Sequence, residues 1–161
     1  MTKSSKGFSL IELLIVVAII LIIAAIAIPN LLRSRIAANQ ASAVGSCRTL
    51  NTAEITYSST YNVGFTYSMS YLAPPATAGA NPTSTAAGLI DSVLSAGSKS
   101  GYSFTYSPGA SDSTGRINTY NIYAVPITTS TGTNYYFTDQ SGVIRQNSTT
   151  TAGSTDSPIA G

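Results

Sequence analysis

The sequence contains no histidine and no tryptophan, and it has a single cysteine, Cys47, among its 161 residues. A lone cysteine cannot form a disulfide within the chain, and with no histidine to activate it we expect Cys47 to be a small core side chain. The commonest general base and the commonest metal ligand are both missing. No phosphate-binding glycine loop, metal-ligand cluster or pair of catalytic carboxylates can be read either. We therefore expect a protein that is not an enzyme and that uses neither a cofactor nor a metal.

Charge is also scarce. Charged residues make up 9% of the chain, whereas about a quarter is usual. Eight basic residues stand against six acidic ones, and Lys3 and Lys6 both precede the first apolar run. Without residues 1–7, the basic and acidic side chains balance at six each. No basic patch with interleaved aromatic residues is present, so nucleic-acid binding is not indicated.

A long apolar segment follows the short basic start. Between residues 8 and 28 only Ser9 and Glu12 are polar, and residues 13–28 are apolar without a break. A helix of about 20 mostly apolar residues can cross a bilayer. The segment therefore predicts a membrane-spanning helix.

Two other interpretations of this segment stay open on the residues alone. An uncleaved anchor is one, because Lys3 and Lys6 before the span and Arg33 and Arg35 after it leave the positive-inside count tied. A secretory signal peptide is the other, since Ala25-Ile26-Ala27 has the form of its cleavage site. The apolar run is longer than the roughly 7–15 residues usual in such peptides, which argues against the second interpretation.

Glu12 is the unusual residue of the apolar segment. A carboxylate deep in hydrocarbon costs about 2.5–3.5 kcal/mol even on lenient scales, and such residues are functional candidates. One interpretation is that Glu12 lies near the membrane edge and reaches the headgroups. The other is that Glu12 meets a cation within an apolar assembly, where a pair about 4 Å apart is worth about 4 kcal/mol before desolvation at an effective dielectric of about 20.

The residues Gly-Phe-Ser-Leu-Ile-Glu-Leu at 7–13, with the apolar run at 14–20 and Ala-Ala-Ile-Ala-Ile-Pro-Asn at 24–30, resemble the N-terminal signature of type IV pilins and type II secretion pseudopilins. The resemblance is close over about the first 35 residues and extends to the rest only in architecture. It implies that prepilin peptidase cuts between Gly7 and Phe8 and that the new Phe8 amine is methylated. It also implies that Glu12 pairs with the N-terminal amine of a neighbouring subunit, a cation that a single chain would lack. The sequence departs from the family at Leu21, where glycine is common.

The resemblance implies a structural subunit of a type IV pilus-like filament that serves adhesion, twitching motility or DNA uptake, with a type II secretion pseudopilin as the alternative. The implied partners are copies of the chain or related pilins, prepilin peptidase, the inner-membrane assembly platform and, before assembly, membrane lipid. Contact with nucleic acid is expected only through DNA uptake. The precursor would cross the bacterial inner membrane with its N-terminus in the cytoplasm and its C-terminal domain in the periplasm. The mature chain would then join an extracellular pilus or a periplasmic pseudopilus.

Two other classes remain as alternatives. A non-polymerising, single-pass membrane-anchored binding domain would use the same apolar segment only as an anchor. An exported enzyme is disfavoured by the missing histidine.

We predict an α+β protein of the pilin fold, in which a long N-terminal helix packs on a small antiparallel sheet of three to four strands. The expected parts are a leader at 1–7, a membrane and assembly helix at 8–29, its amphipathic continuation at 30–61, an α/β domain at 62–146 and a flexible tail at 147–161. Pro29 should kink the helix because proline removes a backbone hydrogen bond. The inward face of the continuation is read at helical spacing from Ile36, Ala43, Val44, Cys47, Leu50, Ala53 and Tyr57.

Alternation and turn residues locate the remaining elements. A short helix is expected at 89–96, and strands at 102–106, 118–127, 134–138 and 143–146. Residues 139–142 read as a hairpin turn. Asp112 and Asp139 each lie near a glycine, but each stretch offers one carboxylate, so we expect turns rather than calcium loops.

Overall fold

The computed structural model describes residues 7–159. The chain divides into two compact units, Met1–Arg35 and Ile36–Gly161, and helix α1 has residues in both. The elements in chain order are α1 (Leu10–Tyr61), a 3-10 turn (Met69–Leu72), α2 (Ser92–Ser95), β1 (Ser98–Lys99), β2 (Tyr102–Pro108), β3 (Tyr120–Pro126), β4 (Tyr135–Asp139) and β5 (Arg145–Asn147).

The five strands form one antiparallel sheet in the order β1-β2-β3-β4-β5, so each strand pairs with its neighbour in sequence. Typical register pairs are Tyr106 with Ile122 and Tyr123 with Phe137. The α+β prediction is confirmed, and the four predicted strands are β2 to β5 with shifted ends. The sheet has five strands, which is one more than the upper end of the predicted three to four. Strand β1 has only two residues, Ser98 and Lys99, which is too short to show an alternating pattern.

Helix α2 is shorter than the predicted helix at 89–96. The Asp91 side chain accepts a hydrogen bond from the Leu94 amide at 2.9 Å and so caps the helix at its start. The preceding amides of Leu89 and Ile90 donate to the Leu72 carbonyl instead, at 2.9 and 3.1 Å. The apolar residues at 89 and 90 therefore belong to a loop that packs on the 3-10 turn.

The core lies between the inner face of α1 and one face of the sheet. Buried helix residues recur every three or four positions, as a single helical face requires, and they are Ala43, Cys47, Leu50, Ala53 and Tyr57. Their partners alternate along the strands and include Tyr102, Phe104, Tyr120, Ile122, Ala124 and Tyr136. The inward face read from the sequence is thus buried at these five positions, while Ile36 and Val44 are only partly buried.

Polar contacts fix the register of α1 against the sheet. The Asn51 side chain donates to the Thr138 hydroxyl at 2.8 Å and accepts from the Tyr120 hydroxyl at 3.1 Å. About three turns earlier on the helix, Asn39 donates to the Thr131 carbonyl at 2.9 Å. Because such bonds are directional, they select one alignment from the many that apolar packing alone would allow.

The C-terminal segment runs back beside β5. The Gln146 amide donates to the Ser157 carbonyl, and the Ile159 amide donates to the Ile144 carbonyl, both at 2.9 Å. The Asp156 carboxylate accepts from the Asn147 side chain at 2.9 Å and from the Gly153 amide at 2.8 Å. The two backbone bonds place Ser157 and Ile159 beside the edge of the sheet at β5. The flexible tail expected at 147–161 stays a prediction, and its residues 160 and 161 lie outside the described part of the chain.

Truncating Leu50 tests the helix–sheet core. Leu50 is fully buried, so Leu50→Ala should lower the free energy of unfolding by about 2–5 kcal/mol through lost burial and a residual cavity. The measurement is urea unfolding of the full chain in detergent micelles, followed by far-UV circular dichroism.

Ile55 provides the control, because it lies on the same helix with 58% of its surface exposed. Ile55→Ala should change stability by less than about 1 kcal/mol. Equal losses in the two variants would contradict the assigned inner face.

Candidate functional site

The N-terminal part of α1 presents an apolar surface with no cover. It contains a stretch long and apolar enough to cross a membrane, and none of that stretch is buried. Large side chains from Leu13 to Leu32 are exposed, and Phe8, just before the helix, is 84% exposed. An apolar surface of this extent marks a contact with lipid or with other protein. The described residues of the first unit do not cover this surface themselves, so it needs a covering environment.

Glu12 lies at the start of this helix and makes a hydrogen bond within its own chain. Its Oε2 accepts from the backbone amide of Ser9 at 2.9 Å. Ser9 immediately precedes the first helical residue, Leu10, and Glu12 is the third helical residue. The contact is one half of a capping box, in which a glutamate satisfies an amide at the helix N-terminus.

The structure adds a hydrogen bond within the chain to the interpretation of Glu12 taken from the sequence. The negative charge lies at the positive end of the helix dipole, which favours it. Within residues 7–159, the single ion pair joins Lys99 and Asp91, so no described cation neutralises Glu12. The carboxylate is thus partly satisfied inside one chain and still lacks a counterion there. The Ser-x-x-Glu pattern at 9–12 was the sequence signal for this cap.

Gly7 and Phe8 lie before the helix, both exposed and both outside regular structure. No atom lies within 4 Å of the position that a Cβ on Gly7 would take. Exposed segments outside regular structure are preferred sites of proteolytic cleavage. Cleavage and methylation there stay predictions, and leader residues 1–6 lie outside the described part of the chain.

Pro29 lies within α1, with helical residues on both sides. Proline has no amide hydrogen, so the helix lacks one backbone bond at this point. The kink expected at Pro29 stays a prediction.

Asp112, considered above for calcium, is occupied by hydrogen bonds from its own loop. Its Oδ1 accepts from the Thr114 amide and hydroxyl at 2.8 and 2.6 Å, and its Oδ2 accepts from Asn118 at 2.9 Å. These donors, with the Arg116 amide, hold the pKa of Asp112 well below its usual value. Asp139 likewise accepts from the Ser141 amide at 2.9 Å. Both stretches are turns, and residues 7–159 contain no group of three side chains suited to a metal.

Cys47 and Glu54 are buried titratable residues on the inner face of α1. Cys47 is fully buried, as expected, and burial raises the pKa of its thiol to about 12. Glu54 is fully buried as well, and it was not foreseen from the sequence. Its position was a usable signal, because it falls seven residues after Cys47 and three before Tyr57, on the same helical face.

Comparison with known proteins finds similarity at the N-terminus. Residues 2–28 match the family model described as the prokaryotic N-terminal methylation motif. A curated relative, the type IV wide pilus major component PilA4 of Thermus thermophilus, is 65% identical over 37 residues, which cover 23% of this chain and 28% of that protein. The match thus spans just over a quarter of the relative. No solved structure matches the chain.

Burial of Cys47 predicts a thiol that does not react in the folded chain. Iodoacetamide should label native Cys47 at least about 100-fold more slowly than the unfolded chain, because the thiolate is both rare and inaccessible. Labelling is followed by mass spectrometry over time at pH 8.

A variant with an added exposed thiol, Ser59→Cys, provides the control, since Ser59 lies on the outer face of the same helix. Its second thiol should react at the rate of the unfolded chain. Rapid labelling of native Cys47 would contradict the described core.

Proposed function

We propose that this chain, which carries the N-terminal motif of the type IV pilin family, is a structural subunit that is cut before Phe8 and polymerised through its N-terminal helix into a type IV pilus-like filament. The observation that supports this most is the uncovered apolar helix with a single carboxylate at its start. The described residues contain no group of three His, Cys, Asp or Glu side chains that could hold a metal ion. A structural role therefore fits the chain better than a chemical one.

Apolar burial alone does not explain why such helices would leave the bilayer for a filament. Lipid tails cover an apolar helix as well as leucine side chains do, so helices gain little hydrophobic free energy by exchanging lipid for one another. A polar interaction that exists only between subunits would supply the preference. Glu12 is the one ionisable side chain between residues 8 and 32, and so it is the residue suited to that task.

The cut before Phe8 would create the missing cation. A free amine at Phe8 lies four residues from Glu12 in its own chain and at the exposed start of the helix. When subunits pack, the amine of one copy can approach the Glu12 carboxylate of the next. At about 4 Å and an effective dielectric of about 20, the pair gains about 4 kcal/mol before desolvation. Because the gain requires a fixed offset between neighbouring helices, it would also set the axial register.

The pilus is preferred to a type II secretion pseudopilus because the relative that matches the N-terminal segment is named as a pilus component. In this proposal the precursor crosses the inner membrane with residues 1–7 in the cytoplasm, where prepilin peptidase acts. The second unit lies in the periplasm until an assembly platform draws the subunit into the filament. Adhesion, twitching motility and DNA uptake are the roles that such a filament would serve.

Processing can be tested on the native protein. Mass spectrometry of chains isolated from the envelope should find a mature N-terminus at Phe8 with one added methyl group. An intact Met1 would indicate an uncleaved anchor, and a start at Ile28 would indicate a secretory signal peptide. Either of these two results would overturn the proposed processing.

Replacing Glu12 tests the assembly mechanism. Glu12→Ala and Glu12→Gln should both reduce filament yield by more than about tenfold, because each 1.4 kcal/mol lost per contact is a factor of ten. Filaments are counted by electron microscopy and sheared-fraction immunoblotting, and membrane insertion is checked by fractionation.

Asp139→Asn is a matched loss of one carboxylate at an exposed turn in the second unit, and its yield should stay at the native value. Native filament yield from Glu12→Ala would reject charge pairing as the basis of assembly.

A further inference from the structure

Glu54 is a carboxyl group enclosed by the core and bound by one residue. None of its surface reaches solvent. The Thr66 hydroxyl donates to its Oε1 at 2.5 Å, and the Thr66 amide donates to its Oε2 at 2.9 Å. Thr66 is itself fully buried. Both oxygens of the carboxyl are therefore used to hold a single residue twelve positions further along the chain.

The side chains that face Glu54 are phenols. Tyr57 comes from α1, Tyr106 from β2 and Tyr120 from β3, and the charge of Glu54 raises the pKa of each, in addition to burial. Within residues 7–159, no lysine or arginine forms an ion pair with Glu54. Burial raises the pKa of the Glu54 carboxyl, and the hydrogen-bond donors of Thr66 and the Tyr106 hydroxyl lower it by less. An ionised Glu54 is thus a buried charge with hydrogen bonds but with no counterion.

Thr66 ends the connecting segment, residues 62–66, which leaves α1 and joins the core. Asn62 takes a positive φ of 55° directly after the helix, and Gly64 takes a φ of 85°. A Cβ on Gly64 would lie 2.4 Å from the Ile117 carbonyl oxygen, so the chain passes very close to residue 117. The Phe65 amide donates to that carbonyl at 2.8 Å, and the Thr66 carbonyl accepts from the Tyr106 hydroxyl at 2.8 Å.

We propose that Glu54 is a proton-sensitive latch for the connecting segment. With its proton, the carboxyl holds Thr66 without a buried charge. Loss of the proton leaves a buried negative charge among three phenols, and this charge is relieved when the segment separates from Glu54 and water reaches the carboxylate. The latch needs no property of the filament, so it stands or fails apart from the proposed function.

The direction of the pH effect follows from the raised pKa. The unfolded carboxyl titrates near its ordinary value of about 4.3, and the folded one titrates higher. Below the lower value both states are protonated and the segment is held most firmly. As pH rises through the folded pKa, that stability is lost, by about a factor of ten in the equilibrium for each unit between the two pKa values.

Hydrogen exchange of the Thr66 amide reports the latch directly, because that amide binds Glu54. The reference is the Phe104 amide, which donates to the Gly97 carbonyl in the sheet at 2.8 Å. In the full chain in micelles, the protection of Thr66 relative to Phe104 should fall by more than about twofold between pH 4 and pH 8, after correction for intrinsic exchange. In Glu54→Gln, which cannot titrate, the ratio should change less than about twofold.

A second variant tests the same latch without removing the carboxyl. Thr66→Val keeps the shape and the amide but removes the hydroxyl donor that favours the ionised form. The Glu54 midpoint, followed by the carbon-13 shift of its carboxyl, should therefore move to higher pH. A constant Thr66 ratio in the native chain, an equal fall in Glu54→Gln, or an unmoved midpoint in Thr66→Val would each overturn the proposal.

Discussion

The uncovered apolar surface on the first part of α1 is the constraint from which the proposed function follows. The helix exposes apolar side chains that water solvates poorly, and Glu12 is the single carboxylate among them. Lipid can cover the apolar side chains but gives the carboxylate no counterion. Copies of the same helix can cover them as well, and a free N-terminal amine can then pair with Glu12. In the proposed function, membrane and filament are therefore two covers of the same apolar helix, and they differ chiefly in the counterion available to Glu12.

The same helix has a different task in the second unit. There its inner face carries small and medium apolar side chains at helical spacing, and Asn51 connects it to Thr138 and Tyr120. Hydrogen bonds at Asp156 and along β5 hold the C-terminal segment beside the edge strand of the sheet. Because Cys47 cannot form a disulfide within the chain, these non-covalent contacts hold the C-terminal segment. Glu54 adds a buried acid to this core at the point where the chain leaves the helix.

Features governed by local periodicity could be predicted from the sequence. Alternation at 102–106 and helical spacing from Ala43 to Tyr57 each reflect one buried face, and the structure buries those faces. Features that depend on a side chain accepting hydrogen bonds from backbone amides could not be predicted in this way. The Asp91 cap starts α2 later than the apolar pattern suggests. Asp156 accepts a hydrogen bond from the Gly153 amide within a segment whose composition is typical of a loose tail. Glu54 was missed because an acid on an apolar face finds its donor, Thr66, only after the chain has turned.

The assembly site was partly predictable. Glu12 stands out as an acid in an apolar run, whereas its bond to the Ser9 amide depends on where the helix begins. The most direct test of its role is a high-resolution structure of the native filament, in which the distance from the Glu12 carboxylate to the Phe8 nitrogen of the neighbouring subunit is measured. We predict that the Glu12 carboxylate and the Phe8 nitrogen of the neighbour lie within about 4 Å of each other, as an ion pair requires. A neighbouring amine more than about 10 Å away, beyond the range of unscreened attraction, would contradict it.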